Sequence, residues 1–447
     1  MALEEMKQLA AGMVAKARAG GAETAETIVK EITEFSVIVR EGKIEQLHES
    51  RSSRLLIIVS RDNRLATVTT SDLSPASTGT LIAEGIELAG VMDRDEYFGL
   101  PDPDELGRIE DDLEIIDPET IGLSTDRKIA IAMELERTAL GMDGRIIPDG
   151  ASFSNEISSI AFANSLGFCD GHTRTLNSIE ISCAAEDTGG TGGNTGKKQS
   201  AYWYSVATHI DRLEPIEEVA GRAVSRTLRK LGARKPATCE VPVVFDPLMA
   251  AKFIDSIARA SNGGGIYRKS SFLVDRLGRR VASPLLTLVD DPLRTGGLAS
   301  RPFDGEGVIS RRTVVIEKGI LKSYLMDSYQ ARKLGLATTG NSGGNSNFSM
   351  EPGASSPEEI IAGVPDGLYL TNLFGPGANW STGDFSQGGQ GIWIENGVLS
   401  YPVNEFTIAG TFPRILEGIV MIGNDLSWRS EFAAPTFLVE RMTISGT

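Results

Sequence analysis

The amino-acid sequence predicts an α+β fold in two parts. Residues 1–235 read as a mostly antiparallel sheet with packed helices. Residues 236–447 read as an antiparallel, β-rich, barrel- or sandwich-like unit. Three observations predict this. The 447 residues exceed one ordinary core. Helical and strand periodicities both occur before position 233. After Pro236 the apolar runs become short and dense, broken by Gly, Asp, Asn and Pro, as in sandwiches and barrels.

In order along the chain, Met6, Leu9, Ala10, Met13 and Ala17 recur at helical spacing, and Gly20-Gly21 supply a C-cap. Two hairpins are expected next. Ser36–Arg40 and Lys43–Leu47 flank Glu41-Gly42, and Leu55–Ser60 and Leu65–Thr70 flank Asp62-Asn63. A helix is expected over 77–89. The segment 91–118, rich in Asp, Pro and Glu, reads as a long exposed connection. A further helix begins at Ser124/Thr125 and buries Ile131, Leu135, Ala139 and Met142. Strands follow over 145–185 with a turn at Asn164-Ser165-Leu166-Gly167, then a helix over 215–231 ending near Gly232.

In the second half, a helix is expected over Pro247–Ala260, then a Gly-rich loop at Gly263-Gly264-Gly265. Strand-like runs lie at 286–290, 313–317, 320–326, 367–373, 391–395, 398–403, 405–409 and 436–444. Glu317-Lys318-Gly319 and Glu395-Asn396-Gly397 are turn signals between strand pairs.

Composition narrows the function classes. Hydrophobic residues make up 41% and charged residues 23%, ordinary for a globular chain, and the formal net charge is −16. So acidic a surface repels nucleic acid and anionic membranes. The N-terminus lacks the basic and apolar regions of a signal peptide, and no stretch reaches the ~18 apolar residues that would span a bilayer. Cys169, Cys183 and Cys239 form neither a C-x-x-C nor a disulfide pattern. A cytoplasmic location is expected.

Catalytic motifs fail one by one. The only histidines are His48, His172 and His209. His48-Glu49 opens like a zincin motif, but no second His follows one helical turn later, and the flanks read as strand. Gly340-Asn341-Ser342-Gly343-Gly344 matches G-x-S-x-G, yet helix precedes it, a polar loop follows it, and no His comes later. The Gly-rich stretch 188–198 fails the P-loop pattern at Thr191 and Lys198. It reads as a mobile surface loop, with a lid or partner-contact role as the sharper reading. The acids at Asp290-Asp291 and at Asp304-Gly305-Glu306-Gly307 read as turn formers that accept backbone N–H bonds. The run Trp380–Gly391 combines aromatics, hydroxyls and glycines ahead of a strand. It reads as a tight turn or as a binding surface.

These residues resemble a known family. Thr382-Gly383-Asp384-Phe385-Ser386, Gly391-Ile392-Trp393-Ile394-Glu395-Asn396-Gly397, Tyr401-Pro402-Val403, Thr407-Ile408-Ala409-Gly410 and Ile422-Gly423-Asn424-Asp425-Leu426 are similar to the C-terminal domain of the TldE (PmbA) type in the TldD/TldE metalloprotease family. Phe303-Asp304-Gly305-Glu306-Gly307, Glu317-Lys318-Gly319-Ile320-Leu321, Thr339-Gly340-Asn341 and Asn164-Ser165-Leu166-Gly167 resemble further family elements in the same order.

The resemblance implies a heterodimer in which a TldD-type partner binds zinc through H-E-x-x-x-H and a later Cys. The helix in the corresponding place runs from Phe245-Asp246-Pro247 to Ser256 without His, and Leu426–Phe432 has no Cys. No catalytic residue, metal ligand or cofactor is therefore carried over to this chain, and zinc is expected only in the partner.

The implied role is a non-catalytic subunit, inactive alone, that helps enclose a chamber for small or unfolded peptides entering as an added strand. Trp380, Thr382, Gly383, Asp384, Phe385, Gly263, Gly264 and Gly265 are its candidate peptide- or partner-contact residues. A stand-alone homodimeric peptide-binding protein is the alternative, and an autonomous hydrolase a third reading. The family's link to DNA gyrase control finds no support in the acidic charge.

Overall fold

The computed structural model describes residues 1–187 and 198–446. In chain order the first half contains α1 (Leu3–Ala19), β1 (Thr24–Arg40), β2 (Lys43–Arg61), β3 (Arg64–Thr70), α2 (Pro75–Val91), α3 (Pro118–Gly122), α4 (Thr125–Met142), β4 (Ile146–Asn164), β5 (Cys169–Glu186), β6 (Lys198–Ala207) and α5 (Ile216–Leu228). The six strands form one antiparallel sheet in the order β3-β2-β1-β4-β5-β6.

The two expected hairpins are halves of a single meander, because β1 pairs with β2 along its whole length. The joining stretches, Lys30–Glu34 and Glu49–Arg54, are polar and partly exposed, so they carry no alternation for a sequence reading to find. Elsewhere the alternation is regular. Ala25, Val29, Phe35, Val37 and Val39 are buried on one face of β1, where α1 and α2 cover one end and α4 and α5 the other. Among the described residues, the opposite face, with Glu26, Ile28, Lys30 and Glu34, carries no helix of this half. Antiparallel sheets tolerate such two-sidedness.

Capping follows the sequence. Ser124 accepts the Arg127 N–H at the start of α4. Buried Glu136 on α4 accepts the N–H groups of Glu41 and Gly42, each at 2.8 Å, which fastens the β1–β2 turn to the helix. Met142 is 43% exposed, so it does not share the buried face expected of it. It sits in the last turn, past the buried stripe that ends at Ala139.

The segment 91–118 corrects its expectation as well. Leu113 and Ile115 are buried. Backbone bonds Gly107 N–H to Gly307 O and Ile109 N–H to Pro302 O, both 3.1 Å, lay it against the second half. Its acidity hid this, because the bonds come from the backbone.

The second half contains β7 (Cys239–Phe245), α6 (Pro247–Ala260), α7 (Gly263–Tyr267), β8 (Leu288–Asp290), β9 (Thr313–Glu317), β10 (Ile320–Leu321), α8 (Ser328–Leu334), β11 (Phe348–Met350), α9 (Pro357–Ala362), β12 (Asp366–Phe374), β13 (Ala378–Asn379), β14 (Asp384–Glu395), β15 (Val398–Thr411), α10 (Phe412–Glu417), β16 (Ile419–Ile422), β17 (Phe432–Ala433) and β18 (Phe437–Ser445). Strands β12, β7, β18, β15 and β14 close into a barrel through the β12–β14 pairing. Closure removes free edges. A second sheet runs β10-β9-β8-β11-β17. The pairings β12–β7 and β11–β17 are parallel, while the other pairings between the strands named in this half are antiparallel.

Both predicted turns place their central residues at positive φ: Lys318 47° with Gly319 80°, and Asn396 53° with Gly397 76°. This is the primed geometry that suits hairpin twist. The runs at 398–403 and 405–409 join into one strand, with Glu405 at φ 55° between them. The run 320–326 is strand only over Ile320–Leu321. The Gly263–Gly265 loop is instead the first turn of α7. Its N-cap Asn262 accepts the Gly264 N–H at 3.0 Å. On α6, Phe253 enters the barrel core among Phe245, Phe385, Phe412 and Phe437.

Candidate functional site

The turn at Trp380–Asp384 is held by its own groups. The Asn379 Oδ1 accepts the N–H groups of Ser381 and Thr382, and the Thr382 hydroxyl donates to Asp384 at 2.6 Å. Gly383, at φ 87°, donates its N–H to the Asn379 carbonyl, and its own carbonyl accepts from Phe412. Trp380 is 40% exposed and lies against the Arg259 guanidinium, 5.7 Å from the ring centre. Phe385 is different: it is buried in the aromatic core and presents no contact surface.

Gly263 and Gly264 are also buried. A Cβ on Gly263 would lie 2.6 Å from Met326, so glycine here lets α7 approach the segment leading into α8. Both groups neighbour the C-terminal end of α6, but on separate contacts. The stretch 188–197 lies outside the described residues.

The helix that resembles the zinc helix is α6. It stands beside segment 427–432, the stretch where the resemblance places the absent Cys. Together with Tyr202 and Tyr204 of β6 they line a groove of about 710 Å³. Its charged groups are already engaged. Lys252 Nζ donates to the Leu373 carbonyl at 2.6 Å, and Asp255 accepts from Arg259 Nε at 2.8 Å. Arg429 donates to the Tyr204 carbonyl at 2.8 Å and to both oxygens of Glu214 at 3.0 and 2.7 Å.

Ammonium, guanidinium, phenol and hydroxyl groups with one engaged carboxylate do not fit zinc, which takes imidazole, thiolate or several carboxylates. Among the described residues no three His, Cys, Asp or Glu are placed to hold a metal. His48 lies on β2, His172 on β5, and His209 beyond β6.

β6 is an edge of the N-terminal sheet, and edges are templates for added strands. Two of its carbonyls are taken by side chains: Ser200 by Lys230 Nζ at 2.7 Å and Tyr204 by Arg429.

The two acidic turns and the G-x-S-x-G match form one junction. Asp304 accepts the N–H groups of Glu306, Val308 and Ser342 at 2.9, 3.0 and 2.9 Å, and Gly305 donates its N–H to the Ser342 carbonyl. Asp290 accepts from Asn341 Nδ2 at 2.7 Å and from the Ser346 N–H at 2.6 Å. The acids are thus turn formers, as the sequence indicates, and Ser342 is a loop residue bonded through its backbone.

What sequence reasoning missed is that this junction sits over the open face of the sheet. Glu26 of β1 is brought to Glu306 and Asp304. Burial, then those two carboxylates, pushes Glu26 up to about 8. Burial and Asp304 push Glu306 up to about 7, against the Ser328 N–H it accepts at 3.1 Å. The available signal was slight: apolar Phe303 and Val308 flanking the acids of 304–307 hint at burial.

Comparison with known proteins agrees in family across these elements. Models of the PmbA/TldA metallopeptidase match as domain 1 over residues 25–89, central domain over 118–231 and C-terminal domain over 238–446. The metalloprotease PmbA of Escherichia coli O157:H7 is 34% identical over 428 residues, covering 96% of this chain and 93% of the relative. Among solved structures, a candidate modulator of DNA gyrase from Bacteroides thetaiotaomicron superposes with a TM-score of 0.92 at 30% identity, covering 100% of both chains. TldE from Thermococcus kodakarensis shares the fold, with a TM-score of 0.86 at 20% identity over 98% of this chain and 100% of that one.

Proposed function

The chain belongs to the PmbA/TldD metallopeptidase family, and from that premise we propose that it is the non-catalytic, TldE-type subunit of a heterodimeric metalloprotease acting on small or unfolded peptides. One observation carries the reading. On α6, in the place that resembles the zinc helix, the groove-facing groups are Lys252 and Asp255, held by the Leu373 carbonyl and by Arg259. A positive side chain over the groove opposes a divalent cation, and the neighbouring carboxylate is spent on a guanidinium.

In this reading a zinc-bearing partner does the chemistry. This chain supplies walls to the shared chamber, with Trp380 as an exposed aromatic anchor at the partner surface. The plugged β6 edge fits the same role. A peptide that pairs as a strand is left to the partner, because Lys230 and Arg429 occupy carbonyls it would need here.

Reconstitution tests the proposal. The chain mixed with its zinc-bearing partner is expected to cleave unstructured peptides at least tenfold faster than the partner alone, and the chain alone is expected to be inactive. A mixture no faster than the partner by itself would sink it.

A further inference from the structure

Between the open face of the N-terminal sheet and the loops at 299–305 and 342–345 lies a cavity of about 1110 Å³, partly open to solvent. It is separate from the α6 groove. Lys30 of β1, His172 and Arg174 of β5, and Arg301 of the second half line it. The sheet register explains the gathering. Lys30 and His172 both stand opposite Ile160 on β4, and Arg174 opposite Ser158, so all three side chains share the face away from the helices.

The cavity's charge balance is the reverse of the chain's. Lys30 forms no ion pair among the described residues. Arg301 donates Nη2 to the Gly344 carbonyl at 2.7 Å, but among the described residues its buried Nε has no partner. Arg174 bonds the Leu298 carbonyl at 2.8 Å, with Glu156 3.6 Å away. Arg301 feels two buried carboxylates, Asp290 and Asp304, but both are engaged elsewhere: Asp304 accepts three backbone N–H groups, Asp290 accepts from Asn341 Nδ2 and the Ser346 N–H, and burial raises the proton affinity of each. His172 reports the resulting field. Burial, then Arg174, Arg301 and Arg108, pushes it down to about 4, so it stays neutral, and among the described residues its buried Nδ1 also lacks a partner.

A guanidinium out of water whose two neighbouring acids are spent on other donors, and whose Nε is unbonded among the described residues, is costly, and an incoming oxyanion would relieve that cost. Arginine's planar fork matches a carboxylate. Ile28, Ile160, Phe162 and Phe303 add apolar wall beside the cations. An oxyanion attached to a side chain suits such a pocket better than a bare ion, and the volume is that of a small-ligand site.

We propose that this cavity is an oxyanion site that takes the α-carboxylate of a short peptide, with Arg301 and Lys30 supplying the charge and the phenylalanine wall receiving the last side chain. The peptide as bearer rests on the function proposed above. The oxyanion site does not, because it is measured on this chain alone, without the partner that reconstitution requires.

Titration calorimetry on the full chain tests it with acetyl-Ala-Phe as the free acid and as the C-terminal amide. The acid is expected to bind at least tenfold more tightly than the amide. Lys30→Met is expected to weaken the acid at least fivefold and leave the amide unchanged. Arg301→Gln should act in the same direction. If that variant fails to fold, Lys30→Met alone decides. Inorganic phosphate is the third probe and is expected to compete weakly. Equal binding of acid and amide, no binding of either, or an unaffected Lys30→Met variant overturns the proposal. Phosphate binding that Lys30→Met weakens, with no binding of the peptide acid, overturns the carboxylate and assigns the site to free phosphate.

Discussion

Arg429 donates its Nη1 to the backbone carbonyl of Tyr204 at 2.8 Å, across 225 residues of sequence. The same guanidinium pairs with Glu214 and lies 4.2 Å from the Trp203 ring centre. One side chain from the tail thus plugs the sheet edge, holds a carboxylate and covers an aromatic ring. At 8% exposure it is screened little by water.

Among the described residues, removing it leaves Glu214 with the Trp203 Nε1–H at 3.2 Å and Arg222 3.4 Å away. Arg429→Met is expected to lower the stability by about 3 kcal/mol, read from urea midpoints at constant m. Glu214→Gln in the same chain should recover part of the loss, since it removes the stranded charge. Hydrogen exchange at β6 should rise. No change at β6 would show that the edge is guarded by something else.

The Glu26–Glu306 pair predicts a pH dependence. Both carboxyls hold protons in the folded chain up to about 8 and about 7, while unfolded glutamates release them near 4.5. The folded state therefore binds more protons in this window, and stability falls as pH rises from 4.5 through 8. Glu26→Gln or Glu306→Gln should flatten that fall and stabilise the chain by on the order of 1 kcal/mol at alkaline pH. Thermal unfolding across this range checks it; an unaltered slope in both variants would refute the pairing.

Gly307 joins the halves by its lack of a side chain. Its φ is 78°, and a Cβ there would lie 2.9 Å from both Phe162 and Phe168. Gly307→Ala is expected to cost roughly 2 kcal/mol, from a disfavoured backbone and forced ring movement. Gly344→Ala, also at positive φ (105°) but with nothing within 4 Å, should cost only the backbone part. Equal losses in the two would argue against the ring contact.

Trp380→Ala is a surface change. It should alter stability by no more than about 0.5 kcal/mol. If Trp380 anchors the partner, the variant should lower reconstituted peptide cleavage about tenfold at limiting concentration and recover when this chain is in excess. Unchanged titration curves would remove Trp380 from the contact surface. Phe385→Ala, by contrast, should destabilise the chain itself by about 3–5 kcal/mol, because that ring is core.

Much of the fold was legible without coordinates. The helix start at Ser124, the turns at Lys318-Gly319 and Asn396-Gly397, and the amphipathic helices announce themselves by local chemistry. The misreadings share a physical cause. The centres of β1 and β2 lack alternation because neither face there is deeply buried, and Gly263–Gly265 looks like a loop because its helix is short and stands on tertiary contacts. The acids of 304–307 were legible as turn formers, yet their meeting with Glu26 was not.

By itself the sequence determined the family, the two-part α+β architecture, and an α6 without imidazole, since each depends on residue type and short spacing. Only the tertiary structure decided what covers the open face of the sheet. Period-two alternation places Lys30, His172 and Arg174 on one face, but it says nothing of Arg301, which arrives from more than 100 residues away. The electrostatics of that cavity belong to the packing of the two halves, because a charge acquires its energy from the distance and burial of its neighbours.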